Sequence, residues 1–405
     1  MPGRFVRRTI LVSLACWTLA AQAADTPAPV VRSAAQLESV LASSQPSPLD
    51  ALTPYGKRRF LQSLRWNERG LTTFSGYSLV RELEVPQIAA VLAFIDSDAY
   101  LPMLAKDAIG APLRLPAPSA DAEARLAQIV RFVEEGNRRR EDTAGAVTAS
   151  DDARLERRFV AVFGERPSSH TLRELPLGDL LPYFDAAALA AQGTKDSVAA
   201  RFLMAVYEEL RARGVDTRRT VDEIVLRRML EAREFGQARA FVAGKPHLAA
   251  TTIPTVRDSL GPRFKGRSAY RYEAVNNTLV REALPHPRGA ELVMVVDAGC
   301  HFSHDALAAL RKDAALRARL VHAGLVLVTL PRAGFSADFV GQWNTNNPTL
   351  PIRVPYSVGE WQAVDVPNVP RFFLLKDGKV VKQLSGWPAE GNKAALLALL
   401  DGAAD

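Results

Sequence analysis

Apolar residues recur at helical spacing over the first two thirds of the chain, then change to strand alternation near residue 265. Phe60, Leu61, Leu64 and Trp66 follow Pro54 with a helical period, and Ile88, Val91, Leu92 and Ile95 do so after Pro86. That spacing predicts helices from about 35 to 105. "GAPLRLPAP" (110–118) breaks the pattern. Leu126, Ile129, Val130 and Val133 then line one face of a helix expected to end at Gly136. The small polar run "EDTAGAVTASDD" (141–152) reads as an internal linker. Residues 153–245 are helical throughout in pattern. "DSVAARFLMAVYEELRARG" is amphipathic with Gly214 just past its end, and "DEIVLRRMLEAREFGQARAFVAGKP" reads as two short helices joined at Phe235-Gly236.

The last third reads differently. "AYRYEAV" and "TLVREAL" alternate around Asn276-Asn277, a hairpin turn. "ELVMVVDA" (291–298) and "GLVLVTL" (324–330) are buried strands, separated by the helical "HDALAALRKDAALRARL". "SADFVGQW" (336–343) is a short helix. "PRFFLLKDGKVVKQLSGW" is a strand, a tight Asp377-Gly378 turn and a second strand, and "NKAALLALL" closes the chain as a helix. The expected architecture is multidomain, α + α/β: an all-α region over 35–260, then an α/β domain over 265–405 in the order β-α-β-α-β-β-α.

Composition adds an address. The chain opens MPGRFVRRTILVSLACWTLAAQA, with Arg4, Arg7 and Arg8 before an apolar run and Ala21-Gln22-Ala23 after it. The run is too short to cross a bilayer, so residues 1–23 are expected to be a secretory signal peptide, followed by a loose mature N-terminus over 24–34. Cys16 lacks the Leu that a lipoprotein signal places three residues earlier, Ser13 standing there instead. The expected location is periplasmic or secreted, in a bacterium. Removing three Arg from a formal charge of +7 leaves about +4. That charge is too small to point to nucleic acid, and the basic clusters Lys57-Arg58-Arg59, Arg138-Arg139-Arg140 and Arg218-Arg219 are expected on solvated helix faces. No metal-spaced His/Cys cluster or phosphate loop is present, so no metal and no cofactor is expected; His170 and His247 stand alone as surface or capping residues. No later stretch is long and apolar enough for a membrane span.

Cys300 is then the one cysteine of the mature chain. In an oxidising compartment a single thiol is either a reactive group or a small buried hydrophobe. It follows the buried strand directly, in "DAGCHFSHD", at the expected start of a helix. There, unpaired backbone N–H groups and the positive end of the helix dipole favour thiolate. His301 and His304 would add charge or shuttle protons, and the Ser303 hydroxyl could donate to the sulfur.

Strand, Cys300, helix and the late "NVPRFFLLKDGKVV" together resemble the thioredoxin-like superfamily over roughly 285–405. Pro370 matches the family's cis-proline and Val369 the residue before it. "CHFSH" is closest to the site of periplasmic disulfide-bond isomerases, and "CHFS" also resembles the monothiol C-x-F-S sites of certain glutaredoxins. The helical region resembles no family, although its last helix pair is similar to one tetratricopeptide-type unit without a clean repeat. The resemblance implies Cys300 as nucleophile, His301, Ser303 and His304 around it, and Phe302, Val369 and Pro370 as a groove for protein substrates or a partner redox protein. Ser303 stands where the resolving thiol would be, so a mixed disulfide at Cys300 could be released only by another thiol. Two functions stay open: thiol-disulfide exchange through one cysteine, and a redox-inert interaction scaffold of the envelope.

Overall fold

A computed structural model of the chain describes residues 30–401 apart from 44, 69, 143–148, 166–168, 195, 288 and 389. The expected signal peptide, Cys16 and most of the expected linker therefore lie outside the described residues. The N-terminal elements are α1 (Ala34–Ala42), α2 (Pro54–Ser63), β1 (Arg65–Asn67), β2 (Gly70–Thr73), α3 (Tyr77–Glu82), α4 (Val85–Phe94) and α5 (Leu101–Asp107). Ser33 caps α1 by accepting from Gln36 N, and Thr53 caps α2 by accepting from Gly56 N, with Pro54 at the first helical position where its missing N–H costs nothing. Phe60, Leu79, Ile88, Leu92 and Ile95 fill their core. The β1–β2 hairpin corrects the expectation of helix throughout this stretch: the helical run of Phe60, Leu61 and Leu64 stops at Leu64, and Trp66 already belongs to β1.

Next come α6 (Ala120–Asp142), α7 (Ala149–Phe163), α8 (Ser169–Glu174), α9 (Leu180–Ala190), α10 (Val198–Ala212), α11 (Val221–Glu231) and α12 (Phe235–Val242). Helix α6 runs on through Gly136, where it was expected to stop; one glycine inside a helix costs only about 1 kcal/mol. The joint between α11 and α12 lies at 232–234 rather than at Phe235-Gly236, and Arg233 takes the left-handed conformation there (φ 61°).

Two buried arginines tie the N-terminal elements to these helices. Arg81 on α3 meets Asp185 on α9 through both guanidinium ends (3.1 and 2.7 Å), stacks on Tyr77, and shares the carboxylate with the Tyr77 hydroxyl (3.0 Å). Arg219, expected on a solvated face, is fully buried instead. Its guanidinium donates to the carbonyls of Val80, Leu83 and Gly110. Arg219→Ala is expected to lower the unfolding free energy by roughly 3 kcal/mol. Arg219→Lys should recover less than half of that, because a point charge cannot serve three carbonyls as a planar fork does. The midpoint shift in urea denaturation measures both.

The remaining elements are β3 (Thr255–Asp258), β4 (Ser268–Glu273), β5 (Thr278–Ala283), β6 (Ala290–Val296), α13 (His301–Lys312), α14 (Ala314–His322), β7 (Val326–Thr329), α15 (Ala337–Asn346), β8 (Ile352–Pro355), β9 (Arg371–Lys376), β10 (Lys379–Ser385) and α16 (Lys393–Asp401). The strands form one sheet in the order β10-β9-β6-β7-β8-β4-β5-β3. β6, β7 and β8 are parallel, while β9 runs antiparallel to β6 and pairs with β10. Successive residues of β6 face opposite sides, as the strand period requires: Leu292, Met294 and Val296 join the larger core, and Val293 and Val295 join a smaller one with Trp361, Val364 and Phe373. The expected hairpin is β4–β5, turned at Asn277 in the left-handed region (φ 46°). The single helix expected between the buried strands is two, broken at Asp313, whose carboxylate accepts from Leu316 N (2.9 Å) and starts α14.

The larger core continues from α6–α12 into the sheet. Phe235 packs edge-on against Tyr270 and Phe335. Arg233 donates to four carbonyls, those of Leu230, Pro331, Ala333 and Pro355, so one helix joint grips two loops of the sheet. Arg332 bridges in the other direction, to Asp152 on α7 (2.9 Å) and to the fully buried Asp365.

Candidate functional site

Strand register builds the site. Val295 on β6 lies opposite Arg371 on β9. Because the two strands are antiparallel, the chain leaving β6 at Asp297 and the chain entering β9 at Pro370 meet at the same end of the sheet. Asp297 then turns the chain: its Oδ1 accepts from Gly299 N (2.8 Å) and its carbonyl from Cys300 N (3.3 Å). Cys300 is the N-cap of α13, with extended backbone (φ −102°, ψ 111°), and its carbonyl accepts from Ser303 N and His304 N. The Val369-Pro370 peptide is cis, and the Cys300 thiol donates to Val369 O at 3.1 Å. Cys300 as a residue is half-buried.

A buried parallel strand, a cysteine capping the following helix, an antiparallel closing hairpin and a cis-proline beside the sulfur define the unit. This C-terminal part of the chain has a thioredoxin-like fold. Solved structures similar to the chain include the following three, two of them described as thioredoxin-like. StoA from Bacillus subtilis is 16% identical, with 30% of this chain and 88% of that chain covered and a TM-score of 0.24. A thioredoxin-like protein from Porphyromonas gingivalis is 15% identical over 34% and 88%, with a TM-score of 0.25. One from Bacteroides caccae is 14% identical over 71% and 98%, with a TM-score of 0.24. No family model matches the chain, and no curated protein matches it.

The thioredoxin-like site gathers some of the expected residues and turns others away. Cys300, Val369 and Pro370 come together. Ser303 is fully buried, and its Oγ accepts from Asp297 N (3.2 Å), so this hydroxyl braces the turn. His304 donates from Nε2 to Ala298 O (2.8 Å) and packs edge-on against Phe339, which also ties down the loop before the cysteine. His301 is exposed and stacks against Phe302, itself 44% exposed at the rim. Among the described residues no group of three or more His, Cys, Asp or Glu is placed to hold a metal ion, and no helix is long and apolar enough to cross a membrane. His247, expected to be a surface or capping residue, sits instead with Nε2 2.9 Å from the buried Asp222, beside Lys245 and Tyr207. Burial and Asp222 push the Tyr207 hydroxyl up from its ordinary value.

Two contributors escape a reading of motifs. Asp297 shapes the turn, and only its spacing to Gly299 hints at that. Asp365 is buried four residues before Val369 and anchored by Arg332. Nothing local in "VDVPNV" marks an ion pair with a residue 33 positions earlier.

Proposed function

We propose that this is an exported thioredoxin-like protein that captures protein partners through a single-cysteine mixed disulfide. The observation that carries the reading is the thiol of half-buried Cys300 at the start of α13, directly beside the Val369 carbonyl and Pro370. The Cys300 thiolate attacks one sulfur of a partner's disulfide, having given its proton to solvent. A new bond forms between Cys300 and that sulfur, the partner's S–S bond breaks, and its second sulfur leaves as thiolate with the electron pair. Ser303 cannot attack in turn. The adduct persists until an external thiol, or the partner's own freed thiol, displaces Cys300.

The Val369 carbonyl contributes selectivity of state. An S–H can donate to it, whereas a thiolate cannot, so attack requires the sulfur to leave that contact. The helix end stabilises the thiolate once it does. A redox-inert scaffold is the second reading, and it draws on the same pair of bonds: the thiol is engaged by Val369 O and the Ser303 hydroxyl by Asp297 N–H.

The test is adduct formation on the protein lacking residues 1–23. Incubation with a peptide disulfide should add one peptide mass to the wild type and none to Cys300→Ala. Excess dithiothreitol should remove the adduct. A wild-type protein that stays unmodified while its thiol reacts after denaturation would sink the capture reading in favour of the scaffold. Export is tested separately, by finding the mature N-terminus at Ala24 in the envelope fraction.

A further inference from the structure

A groove of about 510 Å³ opens between α13 and α15, starting one helical turn from the sulfur. Its near end is formed by Ala298, His304 and Phe339 and its far end by Arg311 and Asn346. Both helices follow parallel strands and run side by side, so the step from His304 to Arg311 matches that from Phe339 to Asn346. The floor is apolar, from Leu307 and Trp343, and the rim carries Asp338, Gln342 and Asn346. Amide side chains over an apolar floor suit an extended polypeptide, whose backbone needs donors and acceptors while its side chains need somewhere dry.

The charges of the groove point to its occupant. Opposite signs stand at the two ends, Asp338 toward the thiol and Arg311 away from it, and neither has an ion-pair partner among the described residues.

We infer that this groove seats an extended stretch of the polypeptide whose disulfide Cys300 captures, with an acidic side chain of that stretch meeting Arg311; this rests on the capture reading above. The spacing fixes where the acid must be. From Cys300 to Arg311 the helix rises about 16 Å at 1.5 Å per residue. An extended chain covers that distance in about five residues. The preferred partner therefore carries Asp or Glu about five residues from its cysteine.

The test uses eleven-residue Gly/Ser peptides, capped at both ends, with a central cysteine held as a mixed disulfide with 2-thiopyridine. Terminal residues on both sides are Glu, Gln or Lys. Attack by Cys300 joins its sulfur to the peptide sulfur and expels 2-thiopyridine, whose absorbance gives the rate. At low ionic strength the Glu peptide is expected to react about fivefold faster than the Lys peptide, the size of one exposed charge pair. Arg311→Gln should bring that ratio near one, and Arg311→Glu should invert it. Equal rates for the three peptides in the wild type, or a ratio unmoved in either Arg311 variant, would overturn the assignment of the groove while leaving capture standing. If neither the peptides nor 2,2′-dithiodipyridine react at Cys300, the capture reading falls and this one with it.

Discussion

Ser303→Cys is expected to convert the proposed capture site into one that turns over. Ser303 N donates to the Cys300 carbonyl at 3.0 Å, so both residues share the first turn of α13, the placement that lets a second sulfur reach the first. Burial of position 303 is no obstacle, because a resolving sulfur must reach its neighbour and not solvent. In the variant, the introduced thiol would attack the mixed disulfide at Cys300. The partner leaves as thiol, Cys300 and the introduced sulfur are left joined as a disulfide, and dithiothreitol restores the dithiol. We expect insulin reduction by dithiothreitol to run at least about tenfold above background with Ser303→Cys and at background with the wild type. The cost is local. Sulfur is a weaker acceptor than Oγ for the Asp297 N–H, and stability should drop by about 1 kcal/mol. A folded variant with no gain in reduction would show that the groove beside the sulfur no longer admits a substrate disulfide.

Asp185→Ala is expected to produce the largest loss of stability, about 3–5 kcal/mol. The substitution strands Arg81 as a buried charge, because both of its terminal nitrogens depend on the two oxygens of Asp185 and its Nε has no hydrogen-bond partner. It also removes the acceptor of the Tyr77 hydroxyl. The pair joins residues 104 positions apart, so its loss should free α3 and its neighbours from α9 before the rest unfolds. Limited proteolysis should then cut first within residues 30–113. The double variant Arg81→Met with Asp185→Leu should recover most of the loss, since an apolar pair of similar volume needs no desolvation of charge. A single variant as stable as the wild type in urea would show that this pair does not hold the two regions together.

The C-terminal order was legible because its strands are long, β-branched and closed by turns with their own chemistry, Asn276-Asn277 and Asp377-Gly378. Pro370 was legible through its place before "RFFLL". β8 was not: Ile352–Pro355 spans four residues between Pro351 and a strand-ending proline, too short for alternation to register. Yet it carries the sheet from β7 to β4. The helical region showed its helices but not its joints, which depend on Arg81, Arg219 and Arg233. In sequence, an arginine bound to backbone carbonyls looks like one in water, so Arg219 was misplaced on the surface. At the site, the residue types around Cys300 were visible, but hydrogen-bond direction was not. Ser303 and His304 turn to Asp297 and Ala298, bonds set by the turn itself.

The choice of partners for Arg233 has a consequence for acid exposure. Its four acceptors are carbonyl oxygens, which gain no proton as pH falls, and burial draws its own pKa down to about 10. Its folded value lies below its unfolded one, so any pH dependence from this group falls above about pH 10 and is level through the acidic and neutral range. Arg332 instead relies on the carboxylates of Asp152 and Asp365, whose charge outweighs burial and holds its pKa above the ordinary value. The strap next to the Val369 loop is thus fastened by opposite charges, while the Arg233 grip on loops 331–333 and 355 is fastened by uncharged acceptors.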